Sequence, residues 1–250
     1  MNVSIVTFNI RCANDPDGHA IEERAPRLRA VLDACDADVI GLQECVPSWL
    51  PHLEAYTDRY EMDNVWRDTA EGGWKESAPL LWKRDRFTCV ERGHFWLSPT
   101  PDVESGKEWD TVCHCKRICV WAVLEDRRTG QKLLAANTHF GFGDEGQVNS
   151  AHLIARRLTA VGEYPTVITG DYNMRPTAPA YAAMTGHFQD LNPGDQRITY
   201  HGYGHAKRPS HIDYGFATPT VKPVSVTLLD QTFDGKYPSD HYGLYFKVEI

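Results

Sequence analysis

The sequence predicts an α/β fold in which two β-sheets are covered by helices. Three observations carry that expectation: ten short β-like runs spread along the whole chain, two stretches of apolar residues at helical spacing lie among them, and one polar connection closes a hairpin. So many short runs fit two sheets better than one. With 250 residues, 42% hydrophobic and 24% charged, the chain can build a sizeable core, as one large α/β domain or two small ones.

In chain order, Met1-Asn2-Val3-Ser4-Ile5-Val6-Thr7-Phe8 alternates like a buried strand, which sets the first run at 3–10. Ile21, Ala25, Leu28, Val31, Leu32 and Cys35 then recur on one helical face. Runs at 38–43, 79–82 and 87–97 follow, the first two separated by a long loop at 63–77 that contains Gly72-Gly73. Runs 117–124 and 132–139 flank Glu125-Asp126-Arg127-Arg128-Thr129-Gly130, a polar segment closed by glycine, so they form an antiparallel pair. A second helical set, Val148, Ala151, Ile154, Leu158 and Val161, precedes a run at 166–169. Runs 212–217, 221–228 and 243–248 complete the chain, after a loop at 192–210 rich in Gly, His and basic residues. Loops of that length inside a compact domain are usually functional or mobile. No repeat, low-complexity tract or linker divides the sequence, so a single domain over 1–250 is expected.

The formal net charge of -8 opposes non-specific adhesion to duplex nucleic acid, whose binding energy comes largely from Lys and Arg displacing counterions. No stable duplex DNA binding is therefore expected. The chain opens directly on a strand, without a basic segment and long apolar run, and has no apolar stretch long enough for a bilayer. A cytoplasmic protein with no membrane contact is the expectation, and no protein partner is inferable. The odd set of seven cysteines, without paired CxxC spacing, reads as reduced thiols. Cys113-His114-Cys115 brings soft ligands together, but on a strand His114 would face away from the two cysteines.

Polar residues punctuate the ends of the apolar runs: Asn9, Gln43-Glu44, Asn137-Thr138-His139, Gly170-Asp171-Tyr172-Asn173, Asp213 and Ser239-Asp240-His241. Ligands gather at strand ends, where loops from distant parts of the chain converge. Oxygen donors from such residues suit a hard cation, Mg2+ or Mn2+, with Glu44, Asp171 and Asp240 as carboxylates and Asn9 and Asn173 as amides. Taken singly, each has a plain alternative: Asn9 a turn, Glu44 a solvated strand end, Asp171 a Gly-Asp turn. Asp213, between Ile212 and Tyr214, is harder to dismiss because a buried carboxylate needs a partner.

The ordered set Thr7-Phe8-Asn9-Ile10-Arg11, Gln43-Glu44, Asn137-Thr138-His139, Gly170-Asp171-Tyr172-Asn173, His211-Ile212-Asp213-Tyr214 and Ser239-Asp240-His241 resembles the endonuclease/exonuclease/phosphatase superfamily, with its deoxyribonuclease-I-like fold. The likeness runs from the first strand to the last. Gly93-His94-Phe95-Trp96-Leu97-Ser98-Pro99-Thr100-Pro101 further resembles a bacterial branch related to mRNA deadenylase-like hydrolases. The resemblance implies a four-layer sandwich, two mostly antiparallel β-sheets packed face to face and flanked by helices, with the site at one edge. It also implies a metal-dependent phosphoric ester hydrolase. Glu44 would be the principal metal ligand, with Asn9 beside it and Asp240 holding metal or the adjoining histidine. Asp171 and Asn173 would position water and bind the scissile phosphate. Asp213 would brace His241 as general base, because a carboxylate on one ring nitrogen fixes the tautomer and raises the basicity of the other. Glu76 would pair with His139 as acid or phosphate clamp, and Arg67 would touch substrate.

Where many relatives continue the Asn-Thr-His strand with an acidic residue and a histidine, this chain reads His139-Phe140-Gly141-Phe142. His211 and Gln147 stand at positions where relatives often carry arginine, and Trp66 where glycine is expected. The leading expectation is hydrolysis of a phosphodiester in single-stranded nucleic acid or a nucleotide-like substrate, with Trp66 and Trp74 as candidate stacking residues for bases. Trp82, Trp96 and Trp121 sit in apolar runs and read as core. The alternatives are a small-molecule phosphatase or lipid-headgroup phosphodiesterase and, from another class, a non-catalytic binding module.

Overall fold

The computed structural model describes residues 1–195 and 197–250; Gln196, inside the expected 192–210 loop, lies outside the described residues. The chain runs β1 (Asn2–Asn9), α1 (Ile21–Cys35), β2 (Val39–Gln43), α2 (Leu50–Leu53), β3 (Tyr60–Asp63), β4 (Leu80–Lys83), β5 (Phe87–Trp96), β6 (Ile118–Asp126) and β7 (Lys132–His139). It continues through α3 (Asp144–Val161), β8 (Thr166–Asp171), α4 (Pro179–Thr185), β9 (Gln189–Asp190), β10 (Asp213–Ala217), β11 (Lys222–Leu229) and β12 (Gly243–Glu249). Two six-stranded sheets result, one ordered β11-β12-β1-β2-β4-β3 and the other β5-β6-β7-β8-β10-β9. Each is antiparallel except for one central parallel pair, β1 with β2 and β7 with β8. Those pairs need crossovers, which α1 and α3 supply.

The expected hairpin is present, with Glu125 opposite Lys132. Sequence reading missed β3, β9, α2 and α4, because two to seven residues are too short for a periodicity to show. It also placed Cys113-His114-Cys115 on a strand. These residues form a turn in which His114 has a φ of 50°, so the alternation argument does not apply to them.

Alternation along the strands builds four layers. On β1, Val3 and Ile5 face the other sheet, packing with Val39, Leu133, Ala135, Val167 and Ala217. Val6 and Phe8 face outward onto Ile21, Ala25, Leu28 and Leu32 of α1. On the second sheet, Leu134, Ala136 and Ile168 face Ala151, Ile154 and Leu158 of α3 and Ala180 and Met184 of α4. Each fully buried aliphatic side chain contributes about 1.5–3 kcal/mol.

The inner face changes character along its length. Val3 and Ile5 give way to Thr7 and Asn9, Val39 to Gln43, Leu133 and Ala135 to Asn137 and His139, Val167 to Thr169 and Asp171, and Ala217 to Asp213, all buried or nearly so. One end of the sandwich is thus apolar between its sheets and the other is polar. That polar end is where the strands position chemistry.

Candidate active site

A hydrogen-bonded floor joins the two sheets beneath the polar end. The Gln43 side-chain amide donates to Thr7 Oγ1 at 3.0 Å and to Asn137 Oδ1 at 2.7 Å, and the Asn137 amide donates to the carbonyls of Leu42 at 2.7 Å and Pro79 at 3.1 Å. Gly41 allows this approach, since a Cβ there would stand 2.6 Å from Asn137 Oδ1. Buried amides donating in this way fix the separation and register of the strands they join, although Gln43 Oε1 has no hydrogen-bond partner among the described residues.

Above the floor, His241 Nδ1 donates to Asp213 Oδ2 at 2.9 Å, and its Nε2 lies 3.8 Å from Asp171 Oδ2. Burial disfavours a charged imidazole here, but Asp213, Asp171 and Asp240 outweigh it and push His241 up to about 10. Burial and the Asp213 charge push the Asp171 carboxyl above its ordinary range. The Asn9 amide nitrogen donates to Glu44 Oε1 at 3.1 Å and Asp171 Oδ2 at 2.9 Å, so one side chain ties the ends of β1, β2 and β8 together. Against its burial, His139, the Cys12 N–H at 2.8 Å and Asn9 hold Glu44 below the usual carboxylate range. Arg11 stands 3.9 Å from Glu44 and 3.7 Å from Asp240, whose carboxyl is pushed up by burial.

On the opposite side, Asn173 Nδ2 donates to His139 Nε2 at 3.1 Å, which turns the protonated Nδ1 of His139 toward Glu76 Oε1 at 3.4 Å. Burial raises the Glu76 carboxyl, but His139 and Arg67 outweigh it and hold it below its ordinary value. The Trp74 indole N–H donates to the second oxygen of Glu76 at 3.1 Å, while 58% of Trp74 is exposed. Arg11, Glu44 and Asn173 have φ of 61°, 61° and 48°. Left-handed backbone costs an ordinary residue about 1–2 kcal/mol, and it turns these side chains back into the cleft.

The ten site residues expected from sequence all lie in or directly around one cleft. His241, His139, Glu76, Asp171, Asn173, Glu44 and Asp240 line one cleft of about 550 Å³, and Asp213 and Asn9 lie directly behind it. The tenth, Arg67, is buried against the Glu76 carboxylate that it braces, and it does not line the cleft. Thr7, Gln43 and Asn137 serve the floor. Gln147 is likewise buried: its amide donates to the carbonyls of Gly141, Tyr172 and Asn173 at 2.8, 3.2 and 3.0 Å, holding two site loops in place. Trp66 is half-buried beside Ser77, and His211 packs on Tyr214 with Nδ1 at the Arg197 carbonyl. The sequence reading missed Arg117, Arg175, Tyr200 and Arg208, which also line the cleft. Only Arg175, two residues after Asn173, stood near a recognised motif.

Hard oxygen donors and an ionised Glu44 fit a divalent cation. Asp171, Asp213 and His241 form the one group of His, Cys, Asp or Glu among the described residues whose donor atoms lie within 4.8 Å of one another. Two of its three members are already bonded to each other. Glu44 and Asp240 form a second group of carboxylates, where Arg11 already supplies one positive charge.

The sequence model of the Endonuclease/Exonuclease/phosphatase family matches residues 6–241. Among solved structures, the chain is similar to an endonuclease/exonuclease/phosphatase from Bacteroides vulgatus, with 30% identity, a TM-score of 0.90 and coverage of 100% of this chain and 99% of that one. It is also similar to a mannosyl-6-phosphatase from Bacteroides thetaiotaomicron, with 27% identity, a TM-score of 0.86 and coverage of 99% and 100%. Among curated proteins, 163 residues are 27% identical to the carbon catabolite repressor protein 4 homolog 3 of Arabidopsis thaliana. That match takes in 58% of this chain and only 31% of the relative's length.

Proposed function

Because the chain belongs to the endonuclease/exonuclease/phosphatase family, whose members hydrolyse phosphate esters, we propose that it attacks a phosphate ester with a water activated by His241. The observation carrying this reading is the Asp213–His241 pair at 2.9 Å, its free Nε2 facing the same cleft as Asp171, Asn173 and Glu44. Asp213 holds the ring so that Nε2 receives the proton from water. Asp171 and Asn173 orient water and phosphate, while His139, steadied by Glu76, balances charge on the leaving oxygen. Arg67 acts through Glu76, by its ion pair, and not by touching substrate.

Asp213, Asp171 and Asp240 favour the protonated form of His241, so its work as a base calls for positive charge nearby. Glu44, Asn9 and Asp240 are the residues to hold Mg2+ or Mn2+. A cation held there would lower the basicity of His241 and withdraw charge from the phosphate.

For substrate, a small phosphate ester fits a cleft of about 550 Å³, and the likeness to a mannosyl-6-phosphatase extends over nearly the entire chain. A single-stranded nucleic acid is the second reading, favoured by the exposed Trp74 anchored on Glu76, which offers a face for a base. The test is a panel of phosphomonoesters, phosphodiesters and short oligonucleotides with Mg2+ or Mn2+, comparing the native chain with His241→Ala and Glu44→Gln. Turnover is expected to fall about 10²–10⁴-fold in His241→Ala and at least as far in Glu44→Gln. Undiminished turnover in either rejects its role, and no turnover by the native chain on any ester returns the protein to a binding-module reading.

A further inference from the structure

Beside the catalytic cleft lies an open hollow of about 610 Å³, lined by Tyr200, Gly202, His205, Ala206, Lys207 and Arg208. All its ionisable side chains apart from the tyrosine are basic types, and no carboxylate among the described residues lines it, in a chain with 34 acidic and 26 basic residues. Tyr200 and Arg208 also line the catalytic cleft, so the two spaces adjoin, and the Tyr200 ring stands 5.1 Å from that of His241. Arg175 joins from the β8–α4 loop. Its Nε and Nη2 donate to Ser210 Oγ at 3.1 and 2.9 Å, and that hydroxyl donates to the Arg208 carbonyl at 2.9 Å. Backbone bonds between Tyr200 and Ser210, at 2.9 and 3.1 Å, close the base of the loop that carries these groups.

Two of the four cleft arginines are engaged by acids: Arg11 by Asp15, and Arg117 by Asp110. Among the described residues, Arg175, Lys207 and Arg208 pair with no carboxylate, although Arg175 is held in a defined place. A fixed guanidinium without counter-charge, with a second arginine and a lysine close by and beside a phosphate-ester centre, offers a second anion the bidentate contacts it favours. We infer that this hollow and Arg175 form a subsite for a second phosphate group of the substrate, adjacent to the scissile one. The inference rests on the phosphoesterase reading and narrows its substrate class to molecules carrying two or more phosphates.

The experiment compares matched pairs differing by one phosphate: hexose 6-phosphate with hexose 1,6-bisphosphate, and a dinucleotide with its 5′-phosphorylated form. The native protein and Lys207→Glu/Arg208→Glu are assayed on each, and binding of the bisphosphate is followed by calorimetry so that the subsite is read independently of turnover. The native protein is expected to favour the doubly phosphorylated member at least tenfold in kcat/KM, mainly through KM, in at least one pair. That preference should shrink with added salt and be lost in the variant, whose melting temperature stays near native because both side chains are exposed. Preference within the sugar pair alone marks a small bisphosphate as the source, and within the nucleotide pair alone a nucleic acid strand. Equal use of both members, or a preference that survives charge reversal, overturns the subsite. If nothing is hydrolysed but the bisphosphate binds the native protein and not the variant, the subsite stands and the phosphoesterase reading fails.

Discussion

Asp213 gives one oxygen to His241 Nδ1, while its other oxygen is buried with no hydrogen-bond partner among the described residues. Leaving a carboxylate oxygen dry is costly, and a purely structural residue would be better served by an amide. Asp213→Asn keeps the shape but removes the negative charge that fixes the imidazole. It should lower kcat about 10²–10⁴-fold with a small change in melting temperature, as steady-state kinetics and calorimetry would show; near-native kcat would argue that His241 does not act as a base. At this scale most of the candidate site was legible, because Asn9, Glu44, His139, Asp171 and His241 each stand at or beside one end of a visible apolar run. Tyr200, Arg175 and Arg208 were not, since exposed loop residues carry no periodicity that separates a ligand-facing cation from a solvated one.

Among the elements, the loops between β3 and β4 and between β5 and β6 are tied together at one cluster. Lys116 Nζ bonds Asp68 at 2.8 Å and Glu104 at 2.7 Å, and Glu104 also accepts from the Thr69 backbone N–H at 3.0 Å. Lys116 and Thr69 pull the Glu104 carboxyl down to about 2. A carboxyl lower in the folded than in the unfolded chain adds stability that is complete above about 4.5, its ordinary value, and is lost as pH falls toward 2. The segment 64–77, which carries Arg67, Trp74 and Glu76, should therefore loosen in acid before the strands do. Hydrogen exchange between pH 5 and 2.5 is expected to show protection falling there in the native chain, and Glu104→Gln should already lack that protection at pH 5. Equal protection in both at every pH would refute the tether. The sequence marked 63–77 as a long loop, functional or mobile, but a tether between segments 35 residues apart depends on how β5 and β6 fold back.

For the molecule as a whole, the decisive contact is between the sheets. A methyl at Gly41 would press on Asn137 and Thr169 from the opposite sheet. Gly41→Ala should cost about 1–3 kcal/mol, a fall of roughly 2–4 °C in melting temperature per kcal/mol at this size. It should also lower activity, because the floor carries the strands that end in Asn9 and Asp171. A melting temperature within 1 °C of native, an interval of about a fraction of the expected fall, would show that the sheets yield more easily than the packing indicates. Cation binding is likewise a property of the assembled fold, since Glu44 and Asp240 are brought together only when β1, β2 and β12 pair. Mg2+ or Mn2+ at about 100 times its dissociation constant should stabilise the native chain by about 2.7 kcal/mol. Glu44→Gln should abolish most of that gain, and an equal gain in both chains would place the cation elsewhere.

Local pattern alone determined the class of fold, ten of the strands, both long helices and the strand ends at which polar residues stand, because burial imposes a period of two or 3.6 on any segment that borders a core. The family likeness then supplied the roles expected of those polar residues. Only the tertiary structure decided which groups meet. It set Asn9 between Glu44 and Asp171, withdrew Arg67 and Gln147 from the cleft as braces, and gathered Tyr200, Arg175 and Arg208 beside His241. Those meetings depend on strand register and loop closure between residues far apart in the chain, and neither leaves a periodic trace in the sequence.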